Sequence, residues 1–422
     1  MESRMGDSDE GKKILVLNSG SSSLKYEVYL MPHRQSLGKG SVERIGEEKG
    51  ILTQTSPQGK ISLEQPIKDH EAAMGLVGKA LVDPNSGILS RISEIDAVGH
   101  RVVHGGEKFA NSVKIDAAVK AAIEMNIELA PLHNPANLTG IAEAERLLPG
   151  VPQVAVFDTA FHQTMPPAAY LYGLPRELYE KYRIRRYGFH GTSHRYVAAR
   201  AMEILKRQPE NTNLITCHLG NGASITAIEA GRSIDTSMGF TPLEGLMMGT
   251  RSGDFDPAIL GFLQERGYSA KDLGALINKK SGLLGLSGIS NDLRDLEAAA
   301  AKGDTNAIEA LDVYAHRVRK YIGAYSAELV KVDALVFTGG VGQHGTKMRE
   351  RICHRLESIG VVMDYERNAA DGSSEGIVSQ PWSPTTIIVI PTNEELQIAM
   401  DAFVILFGGE FSYRRRRSDV NL

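Results

Sequence analysis

The sequence predicts an α/β protein built from two similar halves with a cleft between them. Three observations lead there. Apolar strand-like runs alternate with helix-periodic stretches, two glycine hairpins recur at a fixed spacing, and two later strand ends carry paired glycines. Short apolar runs bounded by glycine or polar residues mark strands: ILVLN (14–18), DAVGHRVV (96–103), VPQVAVFD (151–158), NLITCHL (213–219), ASITAIE (223–229), DALVFTG (333–339) and TTIIVIP (385–391). Apolar residues three and four apart mark helices at 70–83, 119–130, 139–148, 193–207, 307–329 and 394–407.

The halves echo each other. KILVLNSGSSSLKYEV, from Lys13, and NLITCHLGNGASITAI, from Asn213, are offset by 200 residues. Both read apolar strand, polar corner, glycine-rich turn, strand. A second echo pairs IDAVGHRVVHGG (95–106) with VDALVFTGGVGQHG (332–345).

A chain of 422 residues suits two ordinary domains, and 42% apolar with 23% charged residues is a soluble, globular balance. The net charge of −4 argues against general nucleic-acid binding. Cys217 and Cys353 make neither a disulfide framework nor a zinc cluster, which points to a reducing compartment. The charged opening is no secretory signal and no apolar run reaches membrane-spanning length, so a cytoplasmic protein is expected. The arginine run 414–417 reads as a solvated tail rather than an address.

In the opening hairpin, small residues let backbone approach a ligand, and N–H groups with hydroxyls make an anion-binding concavity followed by Lys25. No P-loop motif is present. Other polar clusters sit at glycine-rich strand ends: Arg101 in GHRVVHGGE, Asp158 in AVFDTAFHQ, His190 in RYGFHGTSH, Arg251 and Asp254 in MGTRSGDFD, and Asp292 with Arg294 in SNDLRD. Singly, each has a structural alternative as an ion-pair partner, a loop histidine or a helix cap; together they favour a site. HRVVH and HGTSH space two histidines by four but lack the glutamate of a zinc-protease helix, so zinc is disfavoured.

The blocks NSGSSSLKY, GHRVVHGGEKF, ELAPLHNP, VFDTAFHQTMP, RYGFHGTSH, CHLGNGAS, TSMGFTPLEGLMMGTRSGDFDP, SNDLRDL and IPTNEELQIA, spread over 12–408, are similar to those of the acetate kinase family. The resemblance implies the duplicated actin-like, ribonuclease H-like ATPase fold, with one domain of 11–158 completed by 393–422 and a nucleotide-binding one of 159–392, and a homodimer. It implies magnesium, with manganese as an alternative, at Asn18 and Glu394, and a nucleotide contact from Lys25. Arg101 would bind the acetate carboxylate beside an essential Asp158, and His190 and Arg251 would stabilise the transferring phosphoryl group. His218, Leu219, Gly220, Asn221 and Gly222, with Asp292, Leu293 and Arg294, and with Gly340, Val341, Gly342, Gln343 and His344, would line the ATP/ADP site. Val103, Leu132, Phe189 and Pro242 would house the substrate methyl group.

Acetate, with a carboxyl pKa of roughly 4, is already ionised at neutral pH, so the implied reaction needs charge neutralisation more than a base. Asp158 is therefore expected to position charge rather than accept a proton, with direct in-line transfer giving acetyl phosphate. One departure stands out. The family pattern Gly-Ile-Gly-Glu-Asn-Ser is replaced by a glycine-shaped turn with Gln343 and His344, which opens a pyrophosphate-dependent alternative to ATP. A propionate-preferring kinase is a second alternative. An actin- or chaperone-like ATPase switch is a third, although it has no use for Arg101, Arg251 and a methyl-sized pocket.

Overall fold

Ile14, Leu15, Val16 and Leu17 are each at most 1% exposed, so strand β1 (Lys12–Ser19) is covered on both faces, as befits a central strand. The computed structural model describes residues 11–371 and 373–409; the start of the chain and the arginine run 414–417 lie outside them. The described residues form two units, 11–160 with 393–409 and 161–371 with 373–392.

In the first unit β1 is followed by β2 (Ser23–Met31), β3 (Gln35–Glu43), β4 (Gly50–Ser56), β5 (Gly59–Gln65), β6 (Ala97–Val102), β7 (Val113–Lys114) and β8 (Gln153–Phe157). They lie in the order β5-β4-β3-β2-β1-β6-β8-β7. Strands β1 to β5 are an antiparallel meander, whereas β1, β6 and β8 run parallel. Leu24, Tyr26 and Val28 alternate inward from β2. Helix His70–Leu81 lays Ala73, Met74, Val77 and Leu81 on the same core, and its cap Asp69 accepts the Ala72 N–H at 2.8 Å. Helix Glu394–Phe407, capped by Asn393, packs across β6 and β1. Gly99 is needed beneath it, because a Cβ there would stand 2.6 Å from Ile398 Cγ2.

The second unit holds β9 (Asn213–Leu219), β10 (Ala223–Glu229), β11 (Arg232–Thr236), β12 (Ala334–Thr338), β13 (Gly376–Ile377) and β14 (Thr386–Val389), in the order β11-β10-β9-β12-β14-β13. Strands β3-β2-β1-β6-β8 and β11-β10-β9-β12-β14 thus share one arrangement, with antiparallel steps on one side of the central strand and parallel steps on the other. This is a duplicated actin-like architecture. The first sequence echo marks β1–β2 and β9–β10, and the second marks β6 and β12.

Three of the differences from the sequence expectation bear on the sheets and the expected site. Strands β3 to β5 were not foreseen: β5 is mostly exposed and gives little apolar signal. The helix expected at 119–130 is α-helical over Ala117–Met125 and tightens into a 3₁₀ turn at Asn126–Glu128. The turn expected around Gly340–His344 is instead a short helix, Gly339–His344. Its start depends on Gly339 (φ +75°), which swings the chain straight out of β12 where a Cβ would stand 2.6 Å from Leu219 O.

His100 in the first unit and His162 in the second are buried, and burial pushes both down to about 4. Unfolded imidazoles take up protons below pH 6.5 while these two stay neutral in the fold, so stability is lost as pH falls from 6.5 to about 4. Each is expected to contribute up to about 3 kcal/mol of that loss. Urea midpoints measured across this range should fall with acidification, and less steeply in His100→Gln.

Candidate active site

Strands β6 and β8 are in register at Arg101↔Val156 and Val102↔Phe157, and the Asp158 N–H donates to Val102 O at 3.0 Å. The Arg101 and Asp158 side chains therefore meet at the ends of two adjacent parallel strands, where ligands of open α/β sheets gather. Arg101 Nε lies 3.1 Å from both Asp158 oxygens and Nη2 lies 2.7 Å from Oδ2. Asp158 is only 1% exposed, and its charge pushes the Arg101 guanidinium further up. Among the described residues Arg101 Nη1 has no hydrogen-bond partner, so the fork is held by one edge and keeps a donor for an anion.

Glu394 opens the C-terminal helix with Oε2 4.0 Å from Arg101 Nε. Burial pushes its carboxyl up to about 7; Arg101 opposes the shift, while Asp158 and Glu395 add to it. Lys25 acts on the same carboxyl, and the β1–β2 register sets Lys25 opposite Asn18. Carboxylates crowded this way are relieved by a cation, and oxygen donors from Asn18 and Glu394 fit a hard one. Among the described residues no group of three or more His, Cys, Asp or Glu could hold a metal ion. Of the two expected pocket residues in this unit, Val103 is buried beyond β6 and Leu132 is 73% exposed on a turn.

In the second unit the expected residues converge on the β9–β10 hairpin. His190 is the N-cap of helix Gly191–Leu205 and holds a left-handed backbone (φ 55°), a strained conformation for a non-glycine residue. The preceding peptide is fixed from below, where His162 Nε2 donates to Phe189 O at 2.9 Å. The His190 ring stacks on His218 at 4.3 Å between centroids, and His190 Nδ1 is hydrogen-bonded to Ser224 Oγ at 2.9 Å. Arg251 Nη1 donates to Pro242 O at 2.8 Å. A Cβ built on Gly222 would lie 3.6 Å from His190 Nε2 and 3.7 Å from Arg251 Nη1, so both groups look onto the same spot over the turn. Asn221 anchors that turn, its carbonyl accepting the Gly249 N–H and its side-chain oxygen accepting from Asn291.

The other expected nucleotide residues are more self-contained. Asp292 caps helix Leu293–Ala300 and pairs with the exposed Arg294, which holds the Asp292 carboxyl down at about 2. Gln343 donates to Ser373 O at 3.1 Å from helix Gly339–His344. Sequence reasoning missed Arg349, which is fully buried and donates to the carbonyls of Gly342 and Gln343 and to Asn368 Oδ1, tying that helix down. It also missed Ser224 and the part played by His194, for which the i, i+4 spacing in HGTSH was the available signal.

The repeated sheet and these two residue clusters define a class, the actin-like ATPase-fold proteins. The chain belongs to the acetokinase family, whose model matches residues 13–400. It is 55% identical over 399 residues to the acetate kinase of Desulfitobacterium hafniense, covering 94% of this chain and 100% of that protein. The crystal structure of Porphyromonas gingivalis acetate kinase superposes with a TM-score of 0.91 at 51% identity, covering 94% of this chain and 100% of that one. A propionate kinase from Francisella tularensis does so with a TM-score of 0.88 at 43% identity, over 94% and 100%.

Two glycine substitutions separate fold from function in the second unit. Gly339→Ala is expected to destabilise the protein by at least about 1–3 kcal/mol, through backbone strain and the clash with Leu219 O. Gly222→Ala is expected to leave stability within about 0.5 kcal/mol, yet to weaken phosphate-ligand binding at least tenfold (about 1.4 kcal/mol) by filling the space faced by His190 and Arg251. Thermal unfolding and titration with ATP read out the two effects.

Proposed function

We propose that the protein is an acetate kinase, transferring the γ-phosphoryl group of ATP reversibly to acetate to give acetyl phosphate and ADP. The observation that carries this reading is Arg101, clamped by Asp158 along one edge with Nη1 left over. Such a fork fixes a small carboxylate without neutralising it by protonation. Family membership narrows the reaction, and the apolar side chains Val103, Leu132, Phe189 and Pro242 are the proposed lining of a small pocket for the methyl group.

The difficulty of the reaction is bringing one anion against a polyanion. Arg101 offsets the charge of the acceptor, while Arg251 and His190 offset the charge that develops on the transferring group. Asp158 is engaged with Arg101 through both oxygens and serves to hold it, not to take a proton from an acceptor already ionised. Asn18 and Glu394 would hold Mg²⁺, which supplies neutralisation of the phosphate oxygens when bound. Lys25, the 218–222 hairpin, Asp292–Arg294 and the Gly340–His344 helix are the proposed nucleotide contacts. The same proposal includes a homodimer located in the cytoplasm. Among the described residues no helix is long and apolar enough to cross a membrane.

The similarity to a propionate kinase favours one further reading, propionate as a second substrate, since one methylene discriminates by only about 1–3 kcal/mol. Trapping the acyl phosphate as a hydroxamate tests both readings, with acetate or propionate as acceptor and ATP, GTP or pyrophosphate as donor. ATP with acetate is expected to give the highest kcat/KM. Arg251→Ala is expected to lower kcat about 10²–10³-fold. Product with pyrophosphate alone would reassign the donor, and ATP hydrolysis with no acyl product would contradict the kinase reading.

A further inference from the structure

His190 does not stand alone. Its Nδ1 is 2.9 Å from Ser224 Oγ, the same oxygen is 2.7 Å from His194 Nε2, and His194 Nδ1 is 2.7 Å from Thr216 Oγ1. His190 and His194 lie one turn apart at the start of helix Gly191–Leu205, while Ser224 and Thr216 belong to the paired strands β10 and β9 beneath it. Ser224, His194 and Thr216 are all fully buried.

Three hydrogen bonds in one chain need one proton each, so the chain has two self-consistent polarities. In the first, Thr216 donates to His194 Nδ1, His194 Nε2–H donates to Ser224, and Ser224 donates to His190 Nδ1. A neutral His190 then carries its proton on Nε2. In the second, every arrow is reversed: His190 Nδ1–H donates to Ser224, and His194 Nδ1–H donates to Thr216.

Thr216 decides between them. Among the described residues its Oγ1 has no hydrogen-bond partner other than His194. The reversed chain would therefore leave the Thr216 hydroxyl proton buried without an acceptor, whereas the first chain satisfies every group. Burial, reinforced by His162 and His218, holds His194 well below its ordinary value, so it carries one ring proton and cannot donate in both directions.

We propose that Thr216, His194 and Ser224 form a buried relay that holds His190 as its Nε2–H tautomer and so presents a ring N–H toward the spot over Gly222 faced by Arg251. Thr216, His194 and Ser224 are positioning residues in this scheme; they act through His190. The consequence for catalysis rests on the proposed role of His190 at the transferring phosphoryl group, but the tautomer itself does not.

The test uses full-length protein labelled with ¹⁵N-histidine, with the His190 signals assigned among the twelve histidines by their loss in His190→Gln. Two-bond ¹⁵N–¹H correlations distinguish Nε2–H, Nδ1–H and doubly protonated rings. Wild-type His190 is expected to be the Nε2–H tautomer at neutral pH. Thr216→Val keeps the shape but removes the proton that sets the polarity. It is expected to populate the Nδ1–H form and to lower kcat about tenfold, less than the roughly 10²–10³ for outright loss of a transition-state donor. KM values should stay within about twofold, and Thr216→Ser should restore both readouts. A wild-type ring that is Nδ1–H or doubly protonated would overturn the relay, as would a Thr216→Val ring unchanged from wild type. A tautomer that shifts as expected with no change in kcat would support the relay and overturn the assignment of His190 to the phosphoryl group.

Discussion

The ion pair between Arg101 and Asp158 sets the terms for everything else in the first unit. A carboxylate 1% exposed is tolerable only with its charge and lone pairs answered, and Arg101 answers both oxygens. The cost of removing one partner of such a pair, about 3–5 kcal/mol, explains why the geometry has to come from rigid elements. It comes from two parallel strands in fixed register, backed by a helix so close to β6 that only Gly99 fits beneath Ile398. The same helix begins with Glu394, whose carboxyl is pushed up to about 7 by burial against the pull of Arg101. Arg101 and Lys25 both pull that carboxyl down, and burial with the neighbouring Asp158 and Glu395 outweighs them.

The second unit repeats the topology but uses different chemistry. Its β9–β10 hairpin carries imidazoles and hydroxyls, and Arg251 is its cation in place of a clamped ion pair. His162, His194, His218 and His190 pack against one another, and the first two stay neutral through burial. Neutral donors held at fixed angles suit an anion whose charge shifts during reaction, because they need not reorganise when the charge moves. The two clusters do not sit on equivalent corners: Arg101 and Asp158 lie at the ends of β6 and β8, whereas the imidazoles and hydroxyls lie on β9–β10, the counterpart of β1–β2.

Much of the fold was legible because β1, β8, β9 and β12 are apolar on both faces and end in glycine or polar corners. Strands β3 to β5 were not, since a solvated antiparallel edge has no such signature. The helix Gly339–His344 was hidden by its composition: three glycines in six residues predict a turn, and only tertiary contacts such as those of Arg349 hold it helical. Arg101 and Asp158 were visible as charged residues at strand ends. Ser224 and Thr216 were not, because their importance lies in contacts with His190 and His194, distant in sequence and met only once β9 and β10 pair beneath the helix.

Whether Asp158 works by holding Arg101 is decided by a double-mutant cycle on kcat/KM for acetate. Arg101→Ala, Asp158→Ala and the double variant would be compared at saturating ATP and magnesium. If Asp158 acts through Arg101, the double variant should be no worse than the more damaging single one, giving a large coupling energy between the two. Losses that multiply across the two sites would rule out a purely positioning role and assign Asp158 a separate part in the chemistry.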